Sequence, residues 1–199
     1  MQDASDLPSS GALAAPQSAK RRGGTERVGF RAPDFASGRF ELTDEWSGHQ
    51  LGISLVGAHG SPGERVENMR IYRDVLPGAD LFVRARTKGV EDYLVFEQAP
   101  AKTELRYHLA LSSTVAGLRL VENTLEIIDG NGTPTLQMAP PFLIDMQQHL
   151  TWAQLRIDGC AVDTDPSGPW DHKPTPPGAS SCDLVVTWKK SGTPGAHYL

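Results

Sequence analysis

The sequence predicts an all-β fold, an antiparallel β-sandwich or open barrel of many short strands, with a cysteine-bracketed loop near the C-terminus. Three observations predict it. Between Tyr72 and Asp145, apolar and polar residues alternate with a period of two, the pattern of half-buried strands. Turn signals break these runs about every 8–12 residues. Gly 20 and Pro 15 make the chain rich in turns, as many short strands require.

The elements follow in order. The first 29 residues hold few large apolar side chains and cannot offset their ordering entropy, so 1–29 is expected to be a disordered leader. Its Lys20-Arg21-Arg22 run is followed by GGTERVG rather than by an apolar segment, and reads as a solvated basic cluster instead of an export signal. A single β domain is expected over 30–199. RFEL at 39–42 reads as its first strand and LGISL at 51–55 as its second. SPGE is a turn, and RVENMRIYRDV is either a strand or one helical turn.

From Ala79, Leu81 and Val83 fall on one face and Phe82 and Arg84 on the other. Lys88-Gly89 is a turn, and VEDYLVFEQ supplies β-branched and aromatic bulk at Val90, Tyr93, Val95 and Phe96. Pro100 ends the run, since it has no N–H for a ladder. ELRYHLALS puts Leu105, Tyr107, Leu109 and Leu111 on one face. LRLVENTLEIID reads as two strands about a turn at Glu122-Asn123, and DGNG at 129–132 as a second hairpin turn. Residues 146–155 carry the best helical pattern in the chain, but LTWAQLRI alternates and is read as a strand running into Cys160. CDLVVTWKK is the last clear strand, and the closing GTPGAHYL looks like the approach to another.

A chain of 199 residues with 39% hydrophobic content can bury one sizeable core. A formal charge of −5 argues against a nucleic-acid surface. No window approaches the roughly 20 apolar residues of a spanning helix. The only cysteines, Cys160 and Cys182, flank a Pro-, Gly- and Asp-rich insert that has no core of its own. No further thiol or close histidine pair gives metal-ligand spacing, so a disulfide and an oxidising compartment are expected; two free thiols are the alternative.

Candidate chemistry concentrates in this insert. DTDPSG places Asp163, Asp165 and Ser167 at positions 1, 3 and 5 of a calcium-type loop, with Gly168 at 6 and Asp171 at 9. Pro174 stands where the bidentate Glu of position 12 belongs, and ordinary turn chemistry also explains Asp and Pro here. Calcium is the one cofactor the pattern suggests. Trp170 is expected at the surface as a ligand-binding aromatic, whereas Trp46, Trp152 and Trp188, in or beside predicted strands, are expected in the core. The six histidines share no ligand spacing, and no nucleophile elbow or phosphate loop occurs.

Several motifs carry a family resemblance: Tyr72 with Asp74-Val75, Pro77-Gly78 and Asp80-Leu81; the strand Glu91-Asp92-Tyr93-Leu94-Val95-Phe96; Leu105-Arg106-Tyr107; and Pro140-Pro141-Phe142-Leu143. On these the chain from Phe30 onward resembles the β-rich N-terminal module of secreted bacterial, myxobacterial-type proteins, in which the module precedes β-propeller, kelch-like or Rhs/YD-type repeats. The resemblance implies a non-enzymatic extracellular scaffold or adhesion module, secreted or at the cell surface. Its partners would be the rest of the parent chain and a surface protein or glycan. A calcium- or carbohydrate-binding module centred on 160–182, and a glycan- or peptide-processing domain using surface carboxylates, are the alternative readings.

Overall fold

The computed structural model describes residues 28–86, 89–170 and 172–189. All regular structure among these residues is β, and every strand pairing is antiparallel. The largest sheet runs β1 (Val28–Arg31), β2 (Phe40–Asp44), β3 (Gln50–Leu55), β8 (Glu104–Leu111), β15 (Ser181–Thr187), β14 (Gln154–Asp158). A four-stranded meander follows chain order: β4 (Gly63–Val66), β5 (Met69–Leu76), β6 (Ala79–Arg86) and β7 (Gly89–Phe96). A three-stranded sheet runs β11 (Pro134–Met138), β10 (Thr124–Ile128), β9 (Gly117–Val121), and β12 (Phe142–Ile144) pairs with β13 (Leu150–Trp152) as a separate arm.

Register decides which side chains become core, because directly paired residues share a face. On β8, Leu105, Tyr107 and Leu109 pair with Val186, Leu184 and Cys182 of β15, and Ile53 and Leu55 of β3 lie on the same face. Against that face pack Leu81, Val83, Leu94 and Phe96 of the meander and Leu118, Leu125, Ile127 and Leu136 of the three-stranded sheet, as one contiguous cluster. The result is a sandwich-like all-β fold. Tyr72 is fully buried near its centre: its hydroxyl donates to the Pro33 carbonyl at 2.6 Å, and Phe40 meets its ring edge-on at 5.7 Å. A buried phenol needs such a partner, because an unbonded hydroxyl in apolar surroundings costs about 1–3 kcal/mol.

The other face of the large sheet is a charge ladder. Arg106 reaches Glu104, Asp158 and Asp183, while Arg156 pairs with Asp158. Between Arg106 and Arg156 in register lies Val185, fully buried on this outer face, where long arginine stems cover apolar surface and keep their charge in water.

Several expectations need correction. β1 begins at Val28, two residues inside the stretch read as a leader; 1–27 lie outside the described residues, as do 190–199 and the Lys88 half of the Lys88-Gly89 turn. RFEL contributes the second strand, not the first. SPGE opens β4 instead of forming only a turn, and RVENMRIYRDV is neither a lone strand nor a helical turn: it is the β4–β5 hairpin, with Glu67 at φ 52° in its turn. Over 146–155 the chain makes a turn and then β13, not a helix, and the single strand expected to run into Cys160 is two: β13 and β14 break at Ala153 and belong to different sheets. Trp46 and Trp152 are 84% and 55% exposed, not core; only Trp188 of the three is buried. Both exposed tryptophans sit where a strand ends or belongs to a narrow arm, so alternation there has no second sheet to point into.

Candidate functional site

The insert between the cysteines is held at both ends and in the middle. Cys160 and Cys182 form a disulfide with Cα atoms 5.5 Å apart, joining the end of β14 to the start of β15. Inside it, Asp163 adds a short parallel bridge to β9, exchanging backbone bonds of 2.8 Å with Leu118 and Leu120. The side chain that completes the seam is Arg119, only 8% exposed. One Nη donates to Glu126 Oε2 at 2.6 Å, and the other donates to the carbonyls of Asp165 and Ser167 at 3.2 and 2.8 Å. Two glycines allow the approach. A Cβ on Gly117 would lie 3.0 Å from the Thr175 carbonyl oxygen, and one on Gly132, at φ 77°, would lie 2.5 Å from that of Pro169.

The calcium-type residues therefore have defined partners. Asp163 Oδ1 accepts the Asp165 N–H at 2.9 Å and its Oδ2 meets His172 Nε2 at 2.8 Å; Asp165 Oδ1 accepts the Ser167 N–H at 2.8 Å. These are Asx turns. The backbone N–H of Asp165, helped by His172 and Arg119 against burial, holds the Asp163 carboxyl below its ordinary pKa. The N–H of Ser167 does the same for Asp165. Asp171 lies outside the described residues. Among the described residues, no group of three or more His, Cys, Asp or Glu side chains converges to hold a metal ion. Arg119, which the sequence reading missed, orders this loop. A lone arginine in an alternating strand carries no signal of the carbonyls it will meet 46 and 48 residues later.

A small cavity lies behind the seam, lined by Gly117, Arg119, Asp163, Pro169 and His172, with room for about a single water. It is too small for a substrate. On the outer sheet face, His108 Nδ1 lies 3.2 Å from Asp183 Oδ1, and Ser54 is its register neighbour on the other side. Among the described residues no hydrogen bond joins Ser54 to His108, and the row belongs to the open charge ladder.

The exposed aromatics gather elsewhere. On the β12–β13 arm, Phe142 pairs with Trp152 and Ile144 with Leu150, so all four share the outward face, while Leu143 points into the core. Phe142 and Trp152 meet edge-to-face at 5.9 Å. Leu150 and, at the tip, Met146 are exposed beside them. The tip is held by Asp145, buried, whose carboxylate accepts the N–H groups of Gln147 and His149 at 2.9 Å. The His149 N–H contributes most to keeping the Asp145 pKa low. Trp170 is exposed in the insert, at 51%, as expected. Its backbone lies beside Gly132, in the turn between β10 and β11.

Comparison with protein-family models, with curated proteins and with solved structures finds no match.

Proposed function

We propose that this chain is a non-catalytic binding module of a secreted or cell-surface protein, and that it contacts a protein partner through the outward face of the β12–β13 arm. The carrying observation is that apolar face. Phe142, Ile144, Leu150 and Trp152 share one face of an arm whose other side already serves the core, and Met146 is exposed in the turn that joins its strands. Contiguous exposed apolar surface on a folded domain marks an interaction site, and tryptophan anchors recur at the centres of such sites. The edge-to-face rings do not form the flat platform a sugar ring stacks on, which favours a protein surface over a glycan. The disulfide is compatible with an extracellular location. The resemblance to N-terminal modules of secreted repeat proteins supports the same reading and suggests the remainder of a longer parent chain as one partner.

The test is retention of purified cell-envelope proteins and polysaccharides on beads carrying the protein, with Trp152→Ala and Leu150→Ser compared with the unaltered chain. Loss of an anchor of about 2 kcal/mol should weaken retention of a protein partner more than tenfold. The melting temperature should move by less than about 2 °C, because little core is removed. Retention indifferent to both substitutions overturns the reading, and retention of polysaccharide alone replaces the protein partner with a glycan.

A further inference from the structure

Arg119 has one donor more than the seam uses. Its two Nη groups reach Glu126 and the carbonyls of Asp165 and Ser167. Its Nε–H is shut off from solvent and meets no acceptor among the described residues. A buried donor of this kind has given up its bond to bulk water, and in folded proteins such groups are met by protein or by ordered water. Arg70 Nε is in the same position, but it packs directly over Gly63, in the space that a Cβ there would take. Arg119 instead borders the cavity behind the seam.

Gly117 leaves that space open. A Cβ at this position would point at the Thr175 carbonyl oxygen, at 3.0 Å, and at the Pro174 side chain, at 3.3 Å, and both residues are walls of the cavity. Leu118 and Ile128 supply apolar walls, and Asp163 a polar one. The Asp163 carboxylate accepts the Asp165 N–H on one oxygen and meets His172 on the other, which leaves each oxygen a further lone pair. The walls therefore combine one unpartnered donor with carbonyl and carboxylate acceptors.

We propose that this cavity is a binding site for one ordered water that belongs to the fold. Its oxygen accepts from Arg119 Nε, and its hydrogens go to the Thr175 carbonyl and the Asp163 carboxylate. Three bonds are usual for an internal water. Charge and size choose the occupant. A cation would meet Arg119; an anion would meet Asp163, and the Arg119 charge is already matched by Glu126 at 2.6 Å. A neutral molecule that both accepts and donates suits these walls, and the space admits nothing larger than water. The water ties β9 to two separate parts of the insert, around Asp163 and around Thr175, so the insert is held partly through solvent. The site lies away from the β12–β13 arm, so failure of the adhesion reading leaves it untouched.

Water-selective NOESY and ROESY spectra of the full chain, read at the Arg119 Nε–H, test the proposal. A direct dipolar cross-peak is expected, with the sign given by a water that tumbles with the protein. Gly117→Ala puts a methyl group into the space and should abolish the cross-peak. Thr175→Val removes the neighbouring exchangeable hydroxyl but keeps the carbonyl, and should retain it. Added sodium bromide should leave the Arg119 Nε resonance unmoved. The proposal is overturned if the unaltered protein shows no dipolar cross-peak or only chemical exchange, or if Thr175→Val loses the signal. It is equally overturned if a folded Gly117→Ala keeps the cross-peak, or if bromide shifts the resonance to saturation and so marks an anion site. Should Gly117→Ala not fold, the unaltered chain and Thr175→Val decide.

Discussion

Removing Arg119 tests whether the insert is held by its side chains or by the disulfide alone. In Arg119→Met the stem stays, but the charge and three hydrogen bonds go, and Glu126 is left with only 14% of its side chain exposed. Gln137 still donates to Glu126 Oε1 at 3.1 Å, so the carboxylate is not wholly abandoned. Breaking a buried pair from one side costs about 3–5 kcal/mol. Taking about 4 kcal/mol as the central value, a chain of this size should lose about 8–16 °C in melting temperature. With a urea m-value of about 2 kcal/mol/M, the midpoint should fall by about 2 M. The assay is urea unfolding followed by Trp188 emission, with the disulfide kept oxidised. Arg119→Met combined with Glu126→Leu should recover most of the loss, since an apolar pair of similar volume replaces a buried ion pair at little cost. A single-variant loss below about 1 kcal/mol would refute the reasoning, because exposed pairs are worth no more than that.

Other perturbations have equally definite outcomes. Reducing Cys160–Cys182, or changing both to Ser, should cost about 3 kcal/mol for a loop of this length, read as a lower urea midpoint; both thiols should titrate only after reduction. Asn123→Ala should lose about 2–3 kcal/mol by thermal unfolding. It removes the side-chain bonds to the Ala153 carbonyl and the Leu155 N–H, at 2.8 and 2.7 Å, and places Ala at φ 62°. Asn123→Gly should lose less, since only the bonds go. Asp92 has a folded pKa above its unfolded value, so its ionisation opposes folding, and its cost grows as pH rises through the unfolded pKa towards the folded one. Asp92→Asn should therefore stabilise the protein at pH 7 and leave it unchanged at pH 3; an equal gain at both would reject burial as the cause. Asp145 and Asp163 have the opposite sign, so the parent protein should also lose stability as pH falls below the ordinary aspartate range.

The strands whose patterns were plain in the sequence are those with one face in the core and one in water. β8 alternates Leu105, Tyr107, Leu109 against Arg106 and His108, and its faces are as the pattern implies. The Glu122-Asn123 turn was legible because both positions need positive φ, and they take 50° and 62°. β7 was less so. Val90, Tyr93, Val95 and Phe96 are apolar on both rows, and only pairing with β6 shows that Asp92, itself exposed, shares the row of the buried Leu94 and Phe96. β1 was hidden because VGFR is short and follows a stretch without strand character. The exposed tryptophans were misread for a related reason: alternation says that two faces differ, and it does not say whether anything covers the apolar one. The insert was recognised from its composition and cysteines, but its anchoring depended on contacts far apart in the chain.

The strand order of the large sheet constrains how the protein can be made. β15, the last described strand, does not sit at an edge; it lies between β8 and β14. Until it is synthesised, β8 lacks one neighbour, β14 has none, and Cys160 has nothing to oxidise with. A ribosome-bound chain short of residue 181 can thus form the β4–β7 meander and the β9–β10 hairpin from local pairs, but not the sheet that joins the two ends of the domain. Such late, long-range closure slows folding.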